Sequence, residues 1–129
     1  MAQTPVYLDT HIVVWLAAGA VSRISPRAQA QLESADLLLS PMVLLELEYL
    51  HELGRTTLPA RDVFQKVAHE TGLALCPLPF PSIAAAALDE HWTRDPFDRL
   101  IVAHAKANGF APLISADEEI RQHYPRTVW

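Results

Sequence analysis

Asp9, Glu46, Asp95, Asp98 and Asp117 are the side chains of this sequence whose types and spacing could do chemistry. Asp9 directly follows Pro5-Val6-Tyr7-Leu8, a short apolar segment that reads as a first strand. Glu46 lies six residues past Ser40, where a second strand ends; Asp95 and Asp98 open a late helix; Asp117 stands just beyond Leu113-Ile114, a fourth strand. In open parallel sheets ligands bind beyond the carboxyl ends of the strands, which is where such a topology would gather several of these acids. Carboxylates brought within a few ångströms of one another resist ionising together. A cluster of hard oxygen donors without paired cysteines or clustered histidines selects Mg2+ or Mn2+ over zinc. Those ions accept phosphate oxygens, activate water and stabilise a leaving alkoxide, so the set suggests phosphodiester cleavage.

Each acid also has a structural reading. Val43, Leu44, Leu45 and Leu47 surround Glu46, and no Lys or Arg stands three or four residues away to pair with it. A carboxylate buried there alone would lose solvation or take up a proton. A bound cation is one remedy; an exposed strip shared with no other apolar residue is the other. Asp95 as N-cap, Pro96 at the first helical position and Asp98 at the third resemble a capping box worth ~1 kcal/mol. A capping Asp98 and a ligand facing the sheet edge have overlapping geometry. Ser115-Ala116-Asp117-Glu118 reads as a second box, with Ser115 the cap and Glu118 its reciprocal partner, leaving Asp117 as a favourable charge near a helix N-terminus. Asp9 could cap the helix that follows it. Arg94 and Arg99 flank the acidic turn, either to hold phosphates or as ordinary ion pairs or solvated groups.

The elements that must position these residues alternate between strand and helix. After the first strand, residues 10–18 suit a buried helix, and Ser25-Pro26 starts another over 27–34. Leu37-Leu38-Leu39 is a strand covered on both faces. Ser40-Pro41 opens a long helix to about Leu53, closed by Gly54. Residues 59–69 form a helix with Val63, Phe64, Val67 and Ala68 in one stripe, ended by Gly72. Residues 73–76 are a third strand, 82–90 an alanine-rich helix after Pro77, Pro79 and Pro81, and 95–108 a helix ending at Asn108-Gly109. A short helix over 117–122 and an edge strand at Thr127-Val128 complete the order. Such alternation predicts an α/β fold with a largely parallel sheet.

The chain has 129 residues, half of them hydrophobic, with no repeat, low-complexity tract or linker, so one domain over 1–129 is expected. No apolar run approaches the ~18 residues of a membrane span, and MAQTPVYLDT lacks a basic segment followed by an apolar stretch. The single Cys76 suits a reducing compartment; the expectation is a cytoplasmic protein. Fifteen acids against ten bases give a formal charge of −5, which taken alone argues against nucleic acid. Set aside Asp9, Glu46, Asp98 and Asp117, and the rest of the chain is near neutral. The six histidines lack a His-Glu-x-x-His pattern and read as surface or core residues.

Val6-Tyr7-Leu8-Asp9-Thr10-His11, Ser40 with Glu46, Arg94-Asp95-Pro96-Phe97-Asp98-Arg99-Leu100-Ile101 and Leu113-Ile114-Ser115-Ala116-Asp117 together resemble the PIN domain, in order and over essentially the whole chain. Tyr124-Pro125-Arg126-Thr127-Val128-Trp129 is similar to the end of VapC-type members. The resemblance implies a three-layer α/β/α sandwich around a mostly parallel sheet of four to five strands. It implies a Mg2+- or Mn2+-dependent ribonuclease, the toxin of a toxin–antitoxin pair, cleaving a structured RNA to leave a 5′-phosphate and a 3′-hydroxyl. On that likeness Asp9, Glu46 and Asp98 match the three core acids and Asp117 a fourth, more variable one. Asp95 matches an additional acid of the Asp-Pro-Phe-Asp subgroup, and Thr10 and Ser115 match small hydroxyl positions near the metal. Two features depart from the pattern. His91-Trp92-Thr93 adds residues before Arg-Asp-Pro, and basic residues are few, so RNA affinity would rely on metal and on a partner subunit.

The partners expected are RNA, an antitoxin and a second copy of the chain, since the apolar helices over 12–18 and 42–53 exceed what a small monomer buries. A phosphoacceptor receiver domain is the alternative from another class, but it calls for an adjacent acid pair after the first strand and a Lys after a late one. A haloacid-dehalogenase-like phosphatase would need a second Asp two positions after Asp9. A non-catalytic interaction module would use every acid as a cap and would show no divalent-ion stabilisation.

Overall fold

Pro5–Leu8 forms the central strand, β1, because its apolar run is extended and covered on both faces: Val6, Tyr7 and Leu8 are all buried. The computed structural model describes residues 5–129; Met1–Thr4, part of the segment read above as carrying no leader, lie outside them. The remaining strands are β2 (Asp36–Leu39), β3 (Ala74–Leu75), β4 (Leu113–Ile114) and β5 (Thr127–Val128). They form one sheet in the order β3-β2-β1-β4-β5, with every neighbouring pair parallel. The strand order reverses at β1, so the crevice between the carboxyl ends of β1 and β4 is the topological switch point of the sheet. Leu8 stands opposite Ile114, which puts the next residues, Asp9 and Ser115, side by side.

The helices are α1 (Thr10–Ala17), α2 (Pro26–Ser34), α3 (Pro41–Glu52), α4 (Ala60–Thr71), α5 (Phe80–Ala87), α6 (Pro96–Ala107) and α7 (Glu118–His123), with a 3-10 turn at Val21–Arg23. Ser25 and Ser40 cap α2 and α3 through their hydroxyls, each followed by Pro in the first turn, as the Ser-Pro pairs predict. In α4 the stripe Val63 and Val67 is buried, each valine contributing ~1.5–3 kcal/mol relative to exposure. Gly72 ends α4 at φ +78°, the left-handed conformation that glycine adopts without steric cost. Tyr7, Leu8, Ile12, Leu39, Leu47, Ile101, Leu113, Ile114 and Tyr124 fill the centre of the core.

Two boundaries differ from the sequence reading. α5 begins at Phe80 rather than Ser82 and ends at Ala87, because Pro81 sits in the first turn, where no N–H is required. The chain beyond α5 turns Glu90 inward, where it is 2% exposed. Glu90 accepts from Trp92 Nε1 at 2.7 Å through Oε2, and Lys106 Nζ lies 2.5 Å from Oε1. That second contact is an ion pair by distance without hydrogen-bond alignment. Trp92 in turn stacks on His123, the ring planes 8° apart. The residues that interrupt the pattern before Arg94 thus form a strap tied to α6 and α7.

Candidate active site

Asp9 is the deepest of the five candidate acids, at 5% exposure. Its Oδ1 accepts from the Thr10 amide at 2.8 Å and its Oδ2 from Ser115 Oγ at 2.7 Å. The switch point of the sheet creates this pairing, since β1 and β4 deliver the two residues at the same level. Burial raises the pKa of Asp9; the Ser115 and Thr10 hydrogen bonds and the nearby His11 oppose the rise, and Asp117 adds to it.

Glu46 projects from α3 and is half-buried. The hydroxyl of Thr10, itself fully buried, donates to Glu46 Oε1. Thr10 therefore touches two acids at once: Asp9 through its amide and Glu46 through its side chain. Burial pushes Glu46 up as well, with Asp9 and Asp95 adding to the rise against the Thr10 bond and His11. Glu46 does not share a solvent strip of its own. The exposed stripe at α3 is Leu45, Tyr49 and Leu53, so the alternative of an exposed strip shared with no other apolar residue does not describe Glu46.

Asp98 sits in the first turn of α6 and its carboxyl is pushed up to about 8. Burial is the main cause, followed by the charges of Asp95, Asp9, Asp117 and Glu46. The other four acids singled out in the sequence thus all act on Asp98. Asp95 is the N-cap of α6, its Oδ1 accepting from Phe97 N at 2.8 Å and Asp98 N at 3.4 Å. The reciprocal half of the expected capping box is missing, because the Asp95 amide donates to Thr93 Oγ1 instead. The Asp98 carboxylate is left to the site.

The second expected box is also revised. Asp117, not Ser115, caps α7, accepting from Ile120 N at 3.0 Å, and Glu118 is the first helical residue. The Ser115 hydroxyl is committed to Asp9 while accepting from Asp117 N at 3.1 Å, so it spans the two acids. Arg99 lies half-buried with Nε and one terminal nitrogen on the Ala87 carbonyl at 3.3 and 3.0 Å, closing the end of α5. Of the two arginines flanking the turn, Arg94 is the exposed one. His11, read from sequence as a surface or core residue, is an exposed neighbour whose charge favours ionised Asp9 and Glu46. Its place directly after Asp9-Thr10 was the available signal.

The donor set suits a hard cation: carboxylates, two hydroxyls and no sulfur, with the groups that act most on Asp98 all negative. Among the described residues, no three His, Cys, Asp or Glu side chains already form a ligand set. Neither lysine joins the acids. Lys66 donates to the Ala17 carbonyl and Lys106 pairs with Glu90, which removes the residue a receiver domain requires.

The family model of the PIN domain matches residues 6–124. The chain belongs to the PIN domain family. It is 36% identical to Ribonuclease VapC22 of Mycobacterium tuberculosis (strain ATCC 25618 / H37Rv), with 98% of this chain and 99% of the relative covered. Among solved structures it is similar to VapBC2 from Rickettsia felis bound to a promoter DNA fragment, with a TM-score of 0.59, 15% identity and 95% of each chain covered. It is also similar to DNA-bound VapBC from Salmonella typhimurium, with a TM-score of 0.55, 16% identity and coverage of 98% of this PIN domain and 96% of that chain. These likenesses show the expected fold, here with five strands, all parallel. No helix among the described residues is long and apolar enough to cross a membrane.

Proposed function

We propose that this PIN domain is a divalent-metal-dependent endoribonuclease, the toxin of a toxin–antitoxin pair that cuts a structured RNA and is blocked by its antitoxin. The relative named Ribonuclease VapC22, aligned over nearly the full length, supports the activity. The VapBC likenesses support an antitoxin partner. The observation that supports the metal is the linkage of Asp9 to Glu46 through Thr10 and to Ser115, beside an Asp98 whose carboxyl burial and then the charges of Asp95, Asp9, Asp117 and Glu46 raise to about 8.

Asp9, Glu46 and Asp98 would hold Mg2+ or Mn2+, with Asp117 acting directly or through water. When bound, the ion supplies a Lewis acid that lowers the pKa of water and stabilises the leaving alkoxide. The chain's own residues do the rest. Thr10 and Ser115 hold the Asp9 and Glu46 carboxylates in fixed orientation, so the site is preorganised for a cation. Asp95 caps α6 and adds its charge to the cluster. Arg94, exposed beside the acidic turn, would meet a phosphate of the substrate, while the carbonyls at the end of α5 occupy Arg99. With a formal charge of −5, the domain relies on the cation and on a partner subunit for much of its grip on RNA. The exposed stripe Leu45, Tyr49 and Leu53 supports a homodimer. The single Cys76 supports a cytoplasmic location.

The deciding experiment is incubation of the purified chain with total RNA in Mn2+, with and without chelator. Discrete cleavage that the chelator removes is expected. Intact RNA with Mn2+ at any concentration tried would overturn the reading.

A further inference from the structure

The acids that meet Asp9 from the helical layer come from two helices, Glu46 from α3 and Asp98 from α6, and these helices pack against each other. Their contacts occur in opposite order along the two helices. Ser40, the cap of α3, places its Oγ 2.8 Å from Nδ1 of His104, late in α6. Tyr49, late in α3, lies 6.1 Å from Phe97, early in α6, centroid to centroid. The helices therefore run antiparallel, with Glu46 and Asp98 between the two contacts. Glu46 is six residues on from Ser40 and Asp98 six residues back from His104, ~9 Å along each axis at 1.5 Å per residue. The level at which Ser40 meets His104 is the level that brings the two carboxylates together.

Most of the buried side chains of these helices are apolar: Val43 and Leu47 on α3, Ile101 and Val102 on α6. Apolar contact is non-directional and would tolerate a slipped register. A buried polar pair would not, because slippage leaves both groups without partners. Ser40 and His104 are 1% and 3% exposed, so neither has water to fall back on. His104 Nδ1 also lies 2.9 Å from the Leu100 carbonyl, which can only accept, so Nδ1 carries the proton and shares it between Leu100 O and Ser40 Oγ. Ser40 Oγ accepts a second bond, from Met42 N at 3.1 Å. Burial lowers the pKa of His104, in keeping with a neutral ring.

We infer that Ser40 and His104 are a positioning pair that fixes the register of α3 against α6, and through it the spacing of Glu46 and Asp98 for a divalent cation. The inference rests on the metal reading above. The test is Mn2+ binding to the full chain by isothermal titration calorimetry, which needs no RNA. His104→Leu removes the donor and keeps the bulk, and is expected to weaken Mn2+ binding by about ten-fold or more, the scale of a lost outer-shell partner. His104→Asn keeps an N–H donor near the place of Nδ1 and is expected to stay close to wild type. Leu73→Ala, buried just before the edge strand β3 and away from the carboxyl ends of the strands, is expected to lose stability with Mn2+ affinity unchanged. Wild-type affinity in a folded His104→Leu, or equal weakening in all three variants, overturns the inference. If His104→Leu does not fold, Ser40→Ala takes its place with the same expectation and the same overturning result. If the wild type itself fails to bind Mn2+, the metal reading falls separately. The register is then judged by the nuclear Overhauser contact between the Tyr49 and Phe97 rings: its loss in the variant upholds the pair and its survival overturns it.

Discussion

Ser115 Oγ donates to Asp9 Oδ2 at 2.7 Å, across 106 positions of sequence. The bond joins the ends of β1 and β4 and opposes the rise in the Asp9 pKa that burial imposes. Removing it by Ser115→Ala withdraws a donor from a 5%-exposed carboxylate, so Asp9 becomes harder to ionise. The expected result is Mn2+ affinity reduced by about 10-fold with the fold kept, measured by calorimetry and circular dichroism. Asp9→Asn is expected to abolish Mn2+-dependent RNA cleavage with the far-ultraviolet spectrum unchanged. Full cleavage by that variant would remove Asp9 from the mechanism.

Asp98 gives a pH dependence with a definite sign. Its carboxyl rises from an ordinary 3.8 to about 8 on folding, so the folded chain holds this proton more tightly than the unfolded one. The stability this provides is complete below the unfolded pKa and is lost as pH rises through about 8. Metal-free protein is therefore expected to lose melting temperature relative to Asp98→Asn between about pH 4 and pH 8, the interval between the group's unfolded and folded pKa values. Saturating Mn2+ is expected to restore the wild type and to do little for Asp98→Asn, because a cation replaces the proton. Parallel melting curves for the two proteins across that range, without metal, would count against the cluster.

Part of this site is legible in the sequence because two of its acids lie just after strands. Asp9 and Asp117 follow β1 and β4 within a few residues, and the parallel-sheet rule alone sends them to one crevice. Asp98 is ambiguous in the sequence because capping and ligation place a carboxylate alike; the Thr93 hydroxyl, by taking the Asp95 amide, removes the capping role. Ser-x-x-Glu at Ser115 is a good local capping signal, overridden here by a long-range partner at the end of β1. The ties of Ser40 to His104 and of Glu90 to Lys106 and Trp92 carry no local signature, since each joins segments that only the fold brings together.

Glu90 makes a prediction about stability. It is 2% exposed, and Lys106, its ionic partner, remains partly solvated. Lys106→Met would leave a buried carboxylate with the Trp92 hydrogen bond alone, a loss of about 3 kcal/mol in urea unfolding by analogy with other broken buried pairs. Adding Glu90→Gln removes the stranded charge and is expected to recover most of that loss. A double variant as unstable as Lys106→Met alone would show that the ion pair contributes nothing separable from packing.

The outer face of α3 predicts assembly. Leu45, Tyr49 and Leu53 are 61%, 50% and 50% exposed and lie at four-residue spacing, so they form one apolar stripe along the helix. Soluble monomers rarely leave such a contiguous patch uncovered. In a two-fold dimer the same stripe appears on both subunits, so one substitution enters the interface twice. Leu45→Arg would place two like charges against each other there, while costing the monomer little because Leu45 is already in water. Sedimentation is expected to give a dimer for the wild type at micromolar concentration and a monomer of similar melting temperature for Leu45→Arg. A wild-type monomer under those conditions would leave the stripe to another partner and refute the homodimer.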